Sequence, residues 1–199
     1  MLARLMAISA ARSGGANWER MWAGGLAPGE AFDAAQPELA LQALIPGSGI
    51  TGLSPSTQGS LQLHGKRVLV PGCGRGYAVE ALARGGAAAV TGLEVAPTAV
   101  QRANEYLEHA TAGTDFSNSW SVVEGDFFAL ETESGGKAHA GYDVVYDCTV
   151  SLRLERIYTE YNMHASLTTA CSAHPRARSS CAPYPQLCGN HGHPQWLVS

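Results

Sequence analysis

The chain has 199 residues, 45% hydrophobic and 15% charged, with a formal net charge of −4. That length suffices for one domain with a buried core. An acidic balance without a basic patch argues against a nucleic-acid partner, and no apolar run reaches the length of a membrane span.

Residues 1–13 carry Arg4 and Arg12 and no acid, like the start of an organelle-targeting peptide. Their shortness favours a frayed terminus, and a cytoplasmic location is expected. The five cysteines are odd in number, and Cys73 sits in a glycine-rich turn, so it reads as a reduced intracellular thiol. In the arm that follows, Asn17 is a candidate cap for a helix beginning at Trp18. Trp18 and Trp22 are four apart and share a helix face. They read either as core or as an aromatic lid, where a bound sulfonium would meet a π-face. Gly24 and Gly25 end this helix. Residues 37–44 read as a short helix with Pro37 in its first turn, and residues 46–59 as a Gly/Ser/Pro-rich loop.

Residues 67–83, RVLVPGCGRGYAVEALA, organise the remainder. Val68, Leu69 and Val70 suit a strand covered on both faces. Pro71 ends it, and Gly72, Gly74 and Gly76 turn the chain sharply. Val79, Leu82 and Ala83 give the following helix an apolar face. Strand, glycine turn and helix make the first βα unit of a Rossmann-like sheet, whose ligands sit beyond the carboxyl ends of the strands. A dinucleotide fingerprint is G-x-G-x-x-G, but Tyr77 stands where its last glycine belongs. No G-K-[ST] follows, which excludes a P-loop. The G-x-G-x-G pattern instead resembles the loop of S-adenosylmethionine-dependent methyltransferases. A glycine turn without a ligand is the alternative.

Residues 87–93 read as the second strand. Glu94, about 20 positions after the glycine loop, stands where a ribose is held; alone it would read as a solvated loop acid. Pro97 opens a helix with a stripe of Ala99, Ala103, Leu107 and Ala110. Residues 120–123 form the third strand. Asp126 and Phe127 follow it, placed either to frame an adenine or, for Asp126, to cap a helix. Glu131 to Gly141 is a polar loop. Residues 142–147 form a fourth strand whose end brings Asp147 to the same crevice. Asp147 is the candidate catalytic residue. This βαβα order predicts a parallel sheet.

The stretches NWERMWAGGLAPGEAFD, VLVPGCGRGYAVEALA, TGLEVAPTAV, EGDFF and YDVVYDCT, in this order, resemble the thiopurine S-methyltransferase family. They are most similar to its plant and algal branch of thiol and halide methyltransferases, over residues 17–149. The resemblance implies an α/β fold with a class I methyltransferase sheet and S-adenosylmethionine as cofactor. It further implies a small nucleophile (thiol, thiocyanate or halide) as methyl acceptor. Trp18 and Trp22 would cover the cofactor, and Gly72, Gly74 and Gly76 would form its loop. Glu94 would hold the ribose, and Asp126 with Phe127 would frame the adenine. Family members often carry Asp at the position of Glu94. Gly29 replaces a Trp of many plant members, and Cys148 replaces the usual aromatic residue, both on the acceptor side.

The chain therefore divides into an N-terminal arm and linker (1–60), a cofactor-binding core (61–149) and a tail (150–199). The tail shows no clear period beyond residues 152–161 and reads as irregular sequence outside the native fold. Val150-Ser151 can be encoded by GTGAGT, the form of a splice donor, so translated intron sequence is one origin for it. On this reading the sheet is truncated after the fourth strand, and the chain is alternatively a non-catalytic cofactor-binding fragment. The spacing of Cys181, Cys188, His191 and His193 matches no common zinc site, so no metal is expected.

Overall fold

A computed structural model describes residues 15–31, 33–49, 58–127, 129 and 141–148, and the backbone of 167–169 and 195–198. The helices are α1 (15–23), α2 (Leu39–Leu44), α3 (Tyr77–Arg84) and α4 (Pro97–Thr111). The strands are β1 (Arg67–Pro71), β2 (Ala89–Glu94), β3 (Trp120–Glu124), β4 (Val144–Asp147), β5 (Leu167–Thr169) and β6 (Gln195–Val198). Residues 1–13, the 152–161 stretch, most of the Glu131–Gly141 loop and the histidines and cysteines of the tail lie outside the described residues.

The strands form one sheet in the order β3-β2-β1-β4-β6-β5, and every neighbouring pair is parallel. Beside β1 the strand order reverses, with β2 and β3 on one side and β4 on the other. This is the switch point of a Rossmann-like sheet, where the carboxyl ends open a crevice. Val68 and Val70 alternate with Leu69 through the sheet. The valines join one core with Leu41 and Leu44 of α2, Val79 and Leu82 of α3, Leu107 of α4, and Val144 and Tyr146 of β4. Thus α2, α3 and α4 pack on the same face.

The sheet does not stop at the fourth strand, which corrects the expected truncation there. β6 pairs with β4 from Val144↔Gln195 to Asp147↔Val198, and β5 adds Leu167↔Trp196 to Thr169↔Val198. Both new strands fall within the tail. The physical reason is that an uncovered strand edge is a template for pairing, and segments of three and four residues satisfy it while being too short to show a period. β1 also retains Pro71 as its last residue, in register with Leu93.

One packing detail fixes the glycine loop to β2. A Cβ on Gly92 would lie 2.8 Å from Cys73 Sγ and 3.1 Å from Val79 Cγ2. Gly92→Ala is therefore expected to destabilise the fold by about 1–3 kcal/mol, as overpacking does. Urea denaturation should show the loss, and Cys73→Ala in the same chain should recover part of it. An unchanged midpoint would mean that the loop shifts freely.

Candidate functional site

The carboxyl ends of β1, β2, β3 and β4 meet at the switch point. Gly72, Gly74 and Gly76 all adopt left-handed backbone, with φ of 59°, 53° and 90°. Only glycine adopts such angles readily, so the loop can double back at the end of β1. Cys73 N–H donates to the Leu93 carbonyl at 3.2 Å, and Gly125 N–H donates to the Glu94 carbonyl at 2.9 Å. The loop, the end of β2 and the start of the Gly125-Asp126-Phe127 segment thus adjoin.

Glu94 sits between them, buried. Its Oε2 accepts from Gly74 N–H at 3.0 Å, and its Oε1 accepts from Val95 N–H at 2.8 Å and Ala96 N–H at 3.2 Å. The residue expected at the ribose therefore also braces the loop. A carboxylate offers about four acceptor positions, so these bonds leave Oε2 room for one further donor. Burial raises the Glu94 carboxyl above its usual range, and the bonds from Gly74, Ala96 and Val95 pull it back in part. Cys73 is buried against the same group. Burial, and then the Glu94 charge, push its thiol up, so it stays protonated.

The two arm tryptophans do not share one environment. Trp22 is buried against Ala96, Ala99 and Leu26, whereas Trp18 is 41% exposed. Trp22 meets the loop, since a Cβ on Gly74 would lie 3.7 Å from its ring. Glu19, one turn earlier, accepts from Thr98 N–H at 3.0 Å and from Thr98 Oγ1 at 2.5 Å. It serves as a remote cap for α4, whose first turn has a free donor there. These bonds hold the Glu19 carboxyl below its usual value.

Asp126 Oδ1 accepts from Ala129 N–H at 3.4 Å, the geometry of a cap on the helical turn that follows. Phe127 is buried, and Asp147 is wholly buried at the end of β4. Carrying the β1–β4 register on from Leu69↔Val145 puts Asp147 level with Pro71. Among the described residues, no cluster of His, Cys, Asp and Glu could hold a metal ion, and no helix is long and apolar enough to cross a membrane.

Sequence reasoning missed a polar contact between loop and arm. Arg75 donates from Nε to Asp33 Oδ2 at 2.7 Å and from Nη2 to the Leu26 carbonyl at 2.8 Å. Its guanidinium also lies 5.2 Å from the Trp22 ring centroid. Asp33 Oδ1 accepts from Ala35 N–H at 2.9 Å. Burial alone would raise the Asp33 carboxyl. The bonds from Arg75 and Ala35, the Arg75 charge and the Tyr77 hydroxyl together hold it below its usual value. Ala31 and Ala35, on either side, have φ of 51° and 55°, a conformation that costs an L-residue about 1–2 kcal/mol. No spacing rule links residues 42 apart, so only the charge of Arg75 within a glycine turn could have pointed to this pair.

The family model for thiopurine S-methyltransferase matches residues 53–174, more than half of the chain. The chain belongs to that family. The match runs beyond Thr149, where the recognisable motifs stop, and into the tail. No curated protein matches the chain. Among solved structures, it is similar to the magnesium protoporphyrin IX methyltransferase of Synechocystis with bound S-adenosylmethionine. Identity there is 26% over 45% of this chain and 38% of that one, with a TM-score of 0.37. A methyltransferase from Mesorhizobium loti is 23% identical over 51% and 44% of the two chains, with a TM-score of 0.35. One from Thiobacillus denitrificans is 24% identical over 44% and 32%, with a TM-score of 0.31. The chain spans less than half the length of each of these proteins.

Proposed function

We propose that this member of the family binds S-adenosylmethionine across the ends of β1, β2, β3 and β4 and transfers its methyl group to a small soft nucleophile. That nucleophile is a thiol, thiocyanate or halide. The observation that supports this most directly is the loop of three left-handed glycines braced by a buried carboxylate at the end of β2. A carboxylate with one acceptor position left fits a ribose hydroxyl, and the loop supplies backbone without side chains for the amino-acid end of the ligand. Asp126 and Phe127 are assigned to the adenine side, and Trp22 and Trp18 to the cover. Asp147 is assigned to the acceptor side.

When bound, S-adenosylmethionine supplies an already activated methyl group. The chain's own residues then have to orient the reactants and keep water out. Orientation of this kind is worth about 7–11 kcal/mol. A thiol with a reference pKa near ~8.5 is partly thiolate at neutral pH, so a dedicated general base is dispensable. A halide needs none.

Calorimetry is expected to show S-adenosylmethionine and S-adenosylhomocysteine binding more tightly than NAD, because Tyr77 occupies the place of the last fingerprint glycine. Methylated product from hydrosulfide or iodide would then identify the acceptor class. Equal or tighter binding of NAD would sink this reading. Cofactor binding without turnover would favour the alternative of a non-catalytic binding fragment.

A further inference from the structure

We propose that Arg75 is the positioning residue of this site: it fastens the N-terminal arm to the glycine loop and so sets Trp22 against Gly74. The proposal rests on the reading of the crevice as a cofactor site. A single guanidinium from the loop engages three separate points of the arm, namely Trp22, the Leu26 carbonyl and Asp33. Its planar fork suits such a role, since one group can donate in two directions while its face stacks on a ring. The side chains of Arg75 and Asp33 are only 10% and 2% exposed, so water does not screen the pair. The loop side is equally well anchored. Arg75 follows Gly74, whose N–H is held by Glu94, and precedes Gly76, whose N–H donates to the Cys73 carbonyl at 2.9 Å. A movement of the arm is thereby transmitted to the loop backbone. On the arm side, the left-handed alanines flanking Asp33 are the kind of local strain that persists where surrounding contacts over-determine the chain.

The experiment compares the full chain with Arg75→Gln, Arg75→Lys and Asp33→Asn. Hydrogen exchange without ligand reads the arm directly. Amides in residues 22–31 are expected to lose protection in Arg75→Gln, while those of β1 and β2 keep theirs. With cofactor, the Kd for S-adenosylhomocysteine and the KM for S-adenosylmethionine should rise about tenfold, as expected for losing a buried charged bond. The acceptor KM and kcat should stay near the parent values, whereas a merely structural role would lower the active fraction and leave the cofactor KM unchanged. Arg75→Lys keeps the charge and should fall between parent and Arg75→Gln. Asp33→Asn keeps the shape of the pair and carries the test if Arg75→Gln does not fold. A parent that binds S-adenosylhomocysteine, with variants that bind it as tightly or an arm that stays protected, would overturn the positioning role alone. A parent that binds no S-adenosylhomocysteine would overturn the functional reading and this role with it.

Discussion

Glu94→Gln is expected to weaken binding of S-adenosylhomocysteine by tenfold or more and to lower the melting temperature, although it removes a buried charge. The reason lies in the donors around the group. Glu94 accepts three backbone N–H bonds, from Gly74, Val95 and Ala96. A glutamine has one acceptor oxygen, and its amide nitrogen would face an N–H. Either the Gly74 bond or the Val95 and Ala96 bonds must be lost. Hydrogen bonds to charged groups are worth about 1.5–3 kcal/mol each, and 1.4 kcal/mol is about tenfold in affinity. If the Gly74 bond goes, the loop itself is released. The pH dependence tests the same assignment. Burial, the largest influence, raises the native Glu94 carboxyl above the value near ~4.3 of an unfolded chain. The group's contribution to stability is then fully present below that value and is lost as pH rises through the raised native one. As pH rises through that native value, the parent should lose stability relative to Glu94→Gln, so the gap between their melting temperatures narrows without closing. Parallel curves would show that Glu94 does not titrate there, and equal affinity would remove it from the cofactor site.

Much of the core was legible because its signals are local. Three consecutive apolar residues before Pro71, glycines at 72, 74 and 76, and Pro97 ahead of an alanine stripe marked β1, the loop and α4 to within two residues. The offset from the loop to Glu94 was legible for the same reason, being a distance along one βα unit. What the carboxylate does there was not, because its partners are backbone N–H groups whose direction depends on the turn that they form. The arm helix was foreseen, but the shared face of Trp18 and Trp22 was not a shared environment. Four residues of spacing fix a direction on the helix, whereas burial depends on what packs opposite, and Ala96 and Ala99 pack with Trp22 in the buried cluster. The Tyr146 hydroxyl donating to Glu38 Oε2 at 2.8 Å, and Arg75 on Asp33, join parts of the chain far apart in sequence. They were invisible for that reason. The strand at 195–198 pairs with β4 and the strand at 167–169 pairs with it in turn, and the tail's own composition does not mention β4.

Gly76→Ala is expected to be among the most damaging single substitutions in the chain. Gly76 is the residue before α3, with φ at 90°, and placing an L-residue there costs about 1–2 kcal/mol in backbone strain. The added Cβ would lie 3.0 Å from Leu107 Cδ1, 3.2 Å from Leu107 Cγ and 3.6 Å from Ala103 Cβ. Leu107 and Ala103 are wholly buried in the α4 stripe and have no open side to yield to. Overpacking of this kind adds about 1–3 kcal/mol, a large part of the roughly 5–15 kcal/mol that holds a typical domain. The effect reaches the site as well, because the Gly76 carbonyl accepts the first bond of α3 from Glu80 N–H and its own N–H closes the loop on Cys73. Gly86→Ala is the control. Its φ of 93° imposes the same strain, but nothing lies within 4 Å of the new Cβ. Urea denaturation should place Gly76→Ala below Gly86→Ala by the packing difference alone. Trimming Leu107 to alanine should make the Gly76 substitution less costly than it is in the parent. If the two glycine variants unfold at the same midpoint, α4 can shift to admit a methyl group, and the close approach of α4 to the loop is not what requires glycine here.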